Sequence, residues 1–159
     1  MYIIDTCVII SRAINGLEET VFTVKEVIDE AKDSLSNIIV NSLIDSEKIT
    51  VLEPSENSIK KVRTLSEKNN LNLSDTDVKV SALALDYKKK SVLLTDDYSI
   101  QNIASMLGIM YSEVNQEGIK NILEFKFRCT GCKKVFDKAI EVCDDCGSEL
   151  KRVAINIEP

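Results

Sequence analysis

Four of the five cysteines stand in two close pairs near the C-terminus, and few folds accommodate this spacing. The pairs are Cys129-x2-Cys132 and Cys143-x2-Cys146, ten residues apart, whereas Cys7 lies far upstream. Each C-x-x-C turn presents two sulfur atoms from one tight loop, so two such turns together can form a tetrahedral four-thiolate metal site. A segment of about 36 residues folds poorly without such a staple. We therefore expect metal binding and folding of this segment to be coupled.

The residues around these cysteines support the same interpretation. Gly131 and Gly147 lie where metal-binding turns relax the backbone so that amide groups point toward sulfur. Zn²⁺ is the default metal for four thiolates, although a rubredoxin-like iron site has the same ligands. The segment resembles a zinc ribbon, and it ends in the alternating, strand-like stretch 153–157. We predict one domain over residues 1–123 and a small β zinc ribbon over residues 124–159.

Upstream of the cysteines, strand-like and helix-like segments alternate. Short β-rich or apolar runs predict strands at 2–4, 49–52, 91–95 and 109–111. Apolar residues at helical spacing predict helices that follow Thr23-x-x-Glu26, Pro54-Ser55, Ser74-x-x-Asp77 and Asp97, and a last helix over 116–123. Strands that alternate with helices are typical of an α/β fold with a parallel sheet between layers of helices.

Acidic residues follow two of the predicted strands. Asp5 comes directly after the first strand, and Asp96-Asp97 comes directly after the strand at 91–95. Because parallel sheets bind ligands outside the carboxyl ends of their strands, we expect these side chains at one edge of the sheet. Asp77 lies in the first turn of a predicted helix.

Each acid taken alone also has a structural explanation. Asp77 would favour the positive end of a helix, Asp97 would cap the next helix, and Glu26 would complete the capping box of Thr23. Glu30 lies one helical turn beyond Glu26, hence on the same face. Taken together, these carboxylates would repel one another unless cations held them in place.

The composition excludes several classes of protein. The chain has no His, which rules out Ser-His-Asp and Cys-His catalysis, and its five Gly form no G-x-G-x-x-G or Walker A motif. No apolar run reaches the length of a transmembrane helix, and the N-terminus lacks the features of a signal peptide. Paired cysteines in a reducing compartment indicate metal ligands, so we expect a cytoplasmic protein without a membrane partner.

The net charge of −6 lies in the first domain. Residues 124–159 hold seven basic and seven acidic side chains, so the whole acidic excess belongs to residues 1–123. This balance argues against tight RNA binding by the chain alone, because phosphate contacts require Lys and Arg. Local basic clusters are present at Lys60-Lys61-x-Arg63, Lys88–Lys90, Lys133-Lys134 and Lys151-Arg152.

The order of the acidic motifs resembles that of PIN-domain ribonucleases. The matching segments are 3–5 (IID), 22–30 (FTVKEVIDE), 73–77 (LSDTD) with 82–84 (ALA) after it, and 94–97 (LTDD). With a zinc ribbon directly downstream, the chain is similar to the archaeal endonuclease that matures the 3′ end of small-subunit rRNA. Residues 91–102 are similar to that family in particular. The resemblance implies a PIN-like parallel sheet and a metal-dependent endoribonuclease that acts on precursor small-subunit rRNA within a pre-ribosomal small subunit.

The resemblance also implies roles for single residues. Asp5, Glu30, Asp77 and Asp97 match the acidic quartet of the family, and Asp96 would support them. Asp5, Asp77 and Asp97 would hold one or two Mg²⁺ or Mn²⁺ ions, and Glu30 would hold or orient the attacking water. Glu30 is preferred over Glu26 because the helix acid of the family lies toward the end of its motif. Which residue of the Asp96-Asp97 pair faces the metal stays open.

Three other functions compete with this hypothesis. A toxin-like PIN ribonuclease shares the acids but would usually lack the ribbon. A non-catalytic RNA- or protein-binding module would keep the scaffold without needing all four acids. A receiver-like phosphoacceptor domain would need a paired acid near the first strand and a Lys after the last strand, and the segment Tyr2–Thr6 offers only Asp5.

Overall fold

The computed structural model describes residues 1–35, 37–114 and 122–157. Its elements in chain order are β1 (Tyr2–Ile4), α1 (Thr6–Ile10), a 3₁₀ helix (Ala13–Gly16), β2 (Val21–Thr23), α2 (Lys25–Ser34), α3 (Asn37–Asp45), β3 (Ile49–Val51), α4 (Glu56–Lys68), α5 (Asp75–Asp86), β4 (Val92–Leu94), α6 (Tyr98–Leu107), β5 (Tyr111–Ser112), β6 (Ile122–Cys129), β7 (Val135–Phe136) and β8 (Leu150–Ile157). Within these residues, no helix is long and apolar enough to cross a membrane.

Five parallel strands form the main sheet, in the order β3-β2-β1-β4-β5. The prediction of a parallel sheet flanked by helices is confirmed. The chain moves outward from β1 to β3 on one side and returns to β4 beside β1 on the other. The gap between β1 and β4 is therefore the topological switch point, where such sheets bind ligands. Asp5 follows β1 and Asp96-Asp97 follows β4, so both acidic segments lie at this point.

Two apolar clusters hold the sheet and helices together. The larger cluster fills the space between the sheet and its helices, and its members Ile3, Ile4, Val21 and Leu93 are fully buried strand residues. Such strands are apolar throughout because helices cover both faces of a parallel sheet. The smaller cluster lies among α4, α5 and α6, with Phe125 of β6 packed against it.

Local side chains begin three of the helices, α4, α5 and α6, as predicted. Ser55 caps α4, Ser74 and Asp77 form a reciprocal capping box on α5, and Asp97 caps α6. Helix α6 ends at Gly108 with φ of 65°, a left-handed value that favours glycine. The capping box predicted at Thr23-x-x-Glu26 is wrong, because Val24 occupies the N-cap position of α2 without a side-chain cap.

The cysteine segment forms a separate antiparallel sheet in the order β7-β6-β8. Its longest pairing joins β6 to β8, from Ile122 opposite Ile157 to Cys129 opposite Leu150. This sheet, together with the cysteine cluster, confirms the predicted β ribbon. The helix predicted over 116–123 falls mostly on residues 116–121, outside the described part of the chain. Its last two positions, Ile122 and Leu123, belong to β6.

Candidate active site and metal module

Asp5 lies at the switch point with its carboxylate held on both sides. It follows β1, caps α1 and is 7% exposed. Its Oδ1 accepts a hydrogen bond from the Thr6 amide at 2.6 Å, and its Oδ2 accepts one from the Thr95 hydroxyl at 2.9 Å. The sheet therefore places this carboxylate at its carboxyl edge in a single orientation.

Glu30, Asp77 and Asp97 approach Asp5 from three different helices. Glu30 Oε2 accepts a hydrogen bond from the Thr6 hydroxyl at 2.8 Å. Asp77 Oδ2 accepts from the Ser74 amide at 2.8 Å, and Asp97 Oδ1 accepts from the Ser99 and Ile100 amides at 2.6 and 3.1 Å. The Glu30 carboxylate is thus oriented by a hydroxyl, and the Asp77 and Asp97 carboxylates are oriented by backbone amides at helix N-termini. The structure thus brings together the four acids of the predicted quartet.

Glu26 and Asp96 have partners outside this group. Glu26 forms an ion pair with Lys79, which lies on α5. Asp96 Oδ1 accepts a hydrogen bond from the Val114 amide at 2.8 Å, which ties the end of β4 to the segment after β5. The charge of Asp97 raises the pKa values of both Asp5 and Asp77, so Asp97 lies close enough to both carboxylates to act on their ionisation.

Burial and repulsion from neighbouring acids raise the pKa values of two carboxylates of the site, those of Asp5 and Asp77. Burial raises the pKa of Asp5 from 3.8 to about 6; the charges of Asp77 and Asp97 raise it further, whereas hydrogen bonds from Thr6 and Thr95 lower it. Burial also raises the pKa of Asp77, and the charges of Asp97 and Glu30 add to that rise. Repulsion of this kind marks a group of acids that a cation would stabilise.

The donor set fits a hard divalent cation. No Lys or Arg of the described residues makes an ion pair with Asp5, Glu30, Asp77 or Asp97. Within the same residues, no three carboxylates have oxygens all within 4.8 Å of one another. Carboxylate oxygens suit Mg²⁺ or Mn²⁺, and Mg²⁺ usually keeps several water ligands, so these carboxylates need not all touch one another around the ion.

Two threonines connect the acids, and sequence reasoning missed both. Thr95 is fully buried; its hydroxyl donates to Asp5 Oδ2 and accepts from the Asp97 amide at 3.1 Å. Thr6 connects Asp5 to Glu30 in the same way, through its amide and its hydroxyl. In the sequence, the only indication of their role is that each threonine lies near the end of a predicted strand and next to an aspartate, as in Asp5-Thr6 and Thr95-Asp96. Threonine is also common in strands for other reasons.

The four paired cysteines meet at the tip of the ribbon. Their sulfur atoms all lie within 4.8 Å of one another, with Cys129 3.4 Å from Cys146 and Cys132 3.6 Å from Cys143. A tetrahedral site with metal–sulfur bonds near 2.3 Å places its sulfurs about 3.8 Å apart. The geometry therefore fits a four-thiolate metal ion. Hydrogen bonds from Ser148 lower the pKa of Cys146 to about 6, whereas the neighbouring thiols raise the pKa of Cys132 to about 12. A bound cation would favour the thiolate form of both.

Backbone features of the two cysteine turns explain the neighbouring glycines. A Cβ at Gly131 would lie 2.5 Å from Ser148 Oγ and 3.2 Å from Cys146 Sγ, so any larger residue there requires the Ser148 side chain to move. Lys133 and Gly147, each directly after the second cysteine of a pair, have left-handed φ values of 67° and 70°. The two turns therefore share a left-handed residue directly after their second cysteine. Glycine indicates this conformation at Gly147, whereas Lys133 gives no such signal in the sequence.

The basic clusters are partly engaged within the fold. Arg63 forms an ion pair with Asp75 at 2.8 Å, and Lys134 forms one with Asp145 at 2.8 Å. The Arg152 guanidinium donates to the carbonyl of Asn70. Lys60 and Lys61 line a shallow groove of about 520 Å³ along α4. The cations available to a nucleic acid are therefore fewer than the sequence count suggests.

Comparison with known proteins identifies the family to which this chain belongs. Residues 2–87 match the family described as the PIN domain of ribonuclease, a match that includes Asp5, Glu30 and Asp77. Together with the relatives described next, this match shows that the chain belongs to the PIN-domain ribonuclease family.

The similar curated proteins cover nearly the whole chain. Ribonuclease VapC1 of Thermoplasma acidophilum is 41% identical over 154 residues, which are 96% of this chain and 77% of that protein. Endoribonuclease Nob1 of Pyrococcus abyssi is 36% identical over 88% of each chain. Endoribonuclease Nob1 of Archaeoglobus fulgidus is 34% identical over 96% of this chain and 92% of its own. The similarity therefore reaches beyond the nuclease domain into the cysteine segment.

Proposed function

We propose that this chain is a metal-dependent endoribonuclease that hydrolyses a phosphodiester in precursor small-subunit rRNA, near its 3′ end, during ribosome biogenesis. The observation that carries the proposal is the convergence of Asp5, Glu30, Asp77 and Asp97, without basic partners among the described residues, at the switch point of a PIN sheet. The endoribonuclease relatives, which align over both the nuclease and cysteine segments, support the choice of an endonuclease.

The acids divide the work by position. Asp5, Asp77 and Asp97 are the proposed ligands of one or two Mg²⁺ or Mn²⁺ ions, which would lower the pKa of water and offset charge on the phosphate. Thr95 holds Asp5 toward this site.

Glu30 uses Oε2 for the Thr6 hydroxyl, and its Oε1 has no hydrogen-bond partner among the described residues. That free oxygen is suited to orient the attacking water. Asp96 supports the site from the β4–β5 side.

The products follow from attack by water rather than by a ribose hydroxyl. The water oxygen bonds to phosphorus, the bond from phosphorus to the 3′ oxygen breaks, and that oxygen takes a proton. The products are then a 5′-phosphate and a 3′-hydroxyl. The chain has no His to catalyse attack by the 2′-hydroxyl, which agrees with this route.

The cysteine segment has a separate role in the proposal. Residues 124–159 form a module whose Cys129, Cys132, Cys143 and Cys146 hold a structural Zn²⁺. Four protein thiolates leave no open position for catalysis at that ion. The net charge of −6 makes tight RNA binding by the chain alone unfavourable, so a pre-ribosomal small subunit in the cytoplasm would supply much of the specificity.

The test is cleavage of an RNA that spans the 3′ end of small-subunit rRNA, with Mn²⁺ and with EDTA. We expect Mn²⁺-dependent cutting near the mature end, lost in Asp5→Asn and in Glu30→Gln. Glu26→Gln is the matched control. It removes a carboxylate from the same helix as Glu30, but the Glu26 carboxylate pairs with Lys79 and does not contact Thr6. Equal loss in Glu26→Gln, or full activity in Asp5→Asn, would refute the assigned site.

A second candidate is a PIN ribonuclease with a different RNA target, such as the toxin-like enzyme considered above. The observation in its favour is the 41% identical relative, which is named only as a ribonuclease and aligns over 96% of this chain. The cysteine module therefore does not separate the two candidates. Metal-dependent cutting of many RNAs at scattered sites, without preference for the rRNA end, would favour this second function.

A further inference from the structure

Strand β6 of the ribbon is fastened to α6 by one buried side chain. Asn102 is 2% exposed and lies on α6, five residues after Asp97. Its Nδ2 donates to the carbonyl of Leu123 at 2.5 Å, and its Oδ1 accepts from the amide of Leu123 at 2.8 Å. The side-chain amide thus pairs with Leu123 as a neighbouring β-strand would, and this fixes β6 against the helix that Asp97 caps.

The same strand is fastened to the connection between α4 and α5, residues 69–74. Asn70 has a left-handed φ of 52°, which Asn tolerates better than most residues. Its Nδ2 donates to the carbonyls of Phe125 and Asp137 at 2.6 and 2.8 Å. The Phe125 amide donates to the carbonyl of Asn69 at 3.2 Å, and Arg152 Nη2 donates to the carbonyl of Asn70 at 2.5 Å. The ribbon therefore binds this connection through the Asn70 side chain and through the backbone carbonyls of Asn69 and Asn70.

An apolar contact carries this attachment to the first turn of α5. The Phe125 ring packs against the cluster that contains Leu71 and Val78, and the Arg152 guanidinium lies 3.7 Å from its ring centre on the other side. Val78 directly follows Asp77 in α5. Strand β6 thus contacts the connection that leads into α5, the helix that carries Asp77, and the body of α6, the helix that Asp97 caps.

These two N-termini require something to hold them together. The charges of Asp77 and Asp97 repel each other, and no Lys or Arg of the described residues is paired with either. Helices α5 and α6 do pack against each other, and β6 lies against α6 as well. Strand β6 is attached through Asn70 to the connection before α5 and through Asn102 to α6, so it links the two helices whose N-termini hold these carboxylates.

We infer that Asn70 and Asn102 are positioning residues: by holding the ribbon against α6 and the α4–α5 connection, they fix the spacing of Asp77 and Asp97 and so make the ribbon a structural part of the divalent-cation site. This inference rests on the proposed function, since it assumes that these carboxylates bind the cation. It assigns the ribbon a role in catalysis that does not depend on contact with RNA.

The experiment measures Mn²⁺ binding to the zinc-loaded full chain, without RNA, by electron paramagnetic resonance. The variants are Asn70→Gly, which keeps the left-handed backbone but removes the donor, and Asn102→Ala. Exposed Asn57 on α4, as Asn57→Ala, is the matched control. We expect Mn²⁺ affinity to fall at least about 10-fold in both variants and not in the control, a loss of the size seen when residues that orient a metal's ligands are replaced. Zinc content should stay at that of the wild type, and high Mn²⁺ should restore kcat for RNA cleavage.

The outcomes separate this inference from the proposed function. Lower melting temperature with unchanged Mn²⁺ affinity in Asn70→Gly would mean that the contacts are structural only, and would overturn the inference. Unchanged Mn²⁺ affinity in Asp5→Asn would overturn the cation site itself. Arg152→Ala, at an exposed side chain that donates to Asn70, keeps the test decidable if Asn102→Ala does not fold. It should weaken Mn²⁺ binding in the same direction, and an unchanged affinity there would count against the inference.

Discussion

At the scale of single residues, the central feature is a carboxylate that the fold keeps out of water. Asp5 closes β1, caps α1 and accepts two hydrogen bonds, yet burial still raises its pKa to about 6. The metal-free protein therefore holds this group in an unfavourable state at neutral pH. A bound cation would relieve that penalty, because it favours the charged form.

This pKa predicts how the stability of the metal-free protein varies with pH. The pKa of Asp5 is higher in the folded chain, about 6, than its ordinary 3.8. Between these values the unfolded chain loses the proton first, so the free energy of unfolding falls as pH rises, and it levels off above pH 6. The penalty is about 3 kcal/mol above pH 7, with roughly half of it present at pH 5. Asp77, with its raised pKa, acts in the same direction.

The measurement is urea unfolding of wild type and Asp5→Asn from pH 5 to pH 7.5, without free divalent cations. We expect the variant to gain stability relative to wild type as pH rises, and added Mg²⁺ to reduce this difference by stabilising the wild type. The difference between the two proteins cancels the titration of other groups, such as Glu26 and Asp86, which shift the opposite way. A difference that is constant over this pH range would contradict the pKa of Asp5.

At the scale of elements, two helix N-termini serve both folding and the site. Asp77 belongs to the capping box of α5, and Asp97 is the N-cap of α6. The structural and functional explanations of these acids therefore do not compete. A cap points its carboxylate toward backbone amides at the helix start, and in this sheet both starts lie at the carboxyl edge of the strands.

Two substitutions at Asp97 separate capping from charge. Asn is as good an N-cap as Asp, so Asp97→Asn should leave the free energy of unfolding within about 0.5 kcal/mol, whereas Asp97→Ala should lose roughly 1 kcal/mol. Both remove the charge, and cleavage should fall at least about 100-fold in each. Thermal unfolding and single-turnover cleavage check the two effects. Wild-type cleavage by Asp97→Asn would show that the residue is a cap alone.

Elements with short or weak patterns escaped prediction. Strand β2 has only three residues, Val21–Thr23, and the sequence predicts no strand there because Thr23 begins a capping-box motif. The Thr-x-x-Glu motif is present but forms no capping box: the Thr23 hydroxyl donates to the carbonyl of Ile4, and Glu26 forms an ion pair with Lys79. Both partners are distant in the chain. Local pattern therefore identified Ser74 and Asp97 correctly and failed where a tertiary contact took the side chain.

At the scale of the whole molecule, the nuclease domain and the cysteine ribbon are stabilised in different ways. The parallel sheet has a large apolar core, whereas the described part of the ribbon has two fully buried apolar side chains, those of Cys129 and Cys143. A unit with so little core needs its metal to fold. The ribbon then attaches to the nuclease domain through Asn70, Asn102 and Phe125.

A glycine substitution tests this dependence. The Cβ of Gly131→Ala would meet Ser148 and Cys146, displacing a hydroxyl that bonds to sulfur, so we expect roughly 10-fold weaker zinc retention against a chelator. Nothing lies within 4 Å of a Cβ at Gly16, so Gly16→Ala is the control. Zinc release is followed with a metallochromic dye, and circular dichroism should show the helices of the nuclease domain retained. Wild-type zinc retention by Gly131→Ala would contradict the tight approach at this turn.

The resemblance to PIN-domain ribonucleases suggested which acids belong to the site, and the sequence by itself predicted the α/β class, the cysteine ribbon and the starts of α4, α5 and α6. These depend on periodicity and on spacing along the chain, which local chemistry governs. Only the tertiary structure decided that Glu30 meets Asp5 through Thr6, that Thr95 connects Asp5 to Asp97, and that the ribbon is attached to α6. Each of these contacts joins residues far apart in the chain or depends on side-chain direction. Their partners are set by how sheet and helices pack, which no local pattern records.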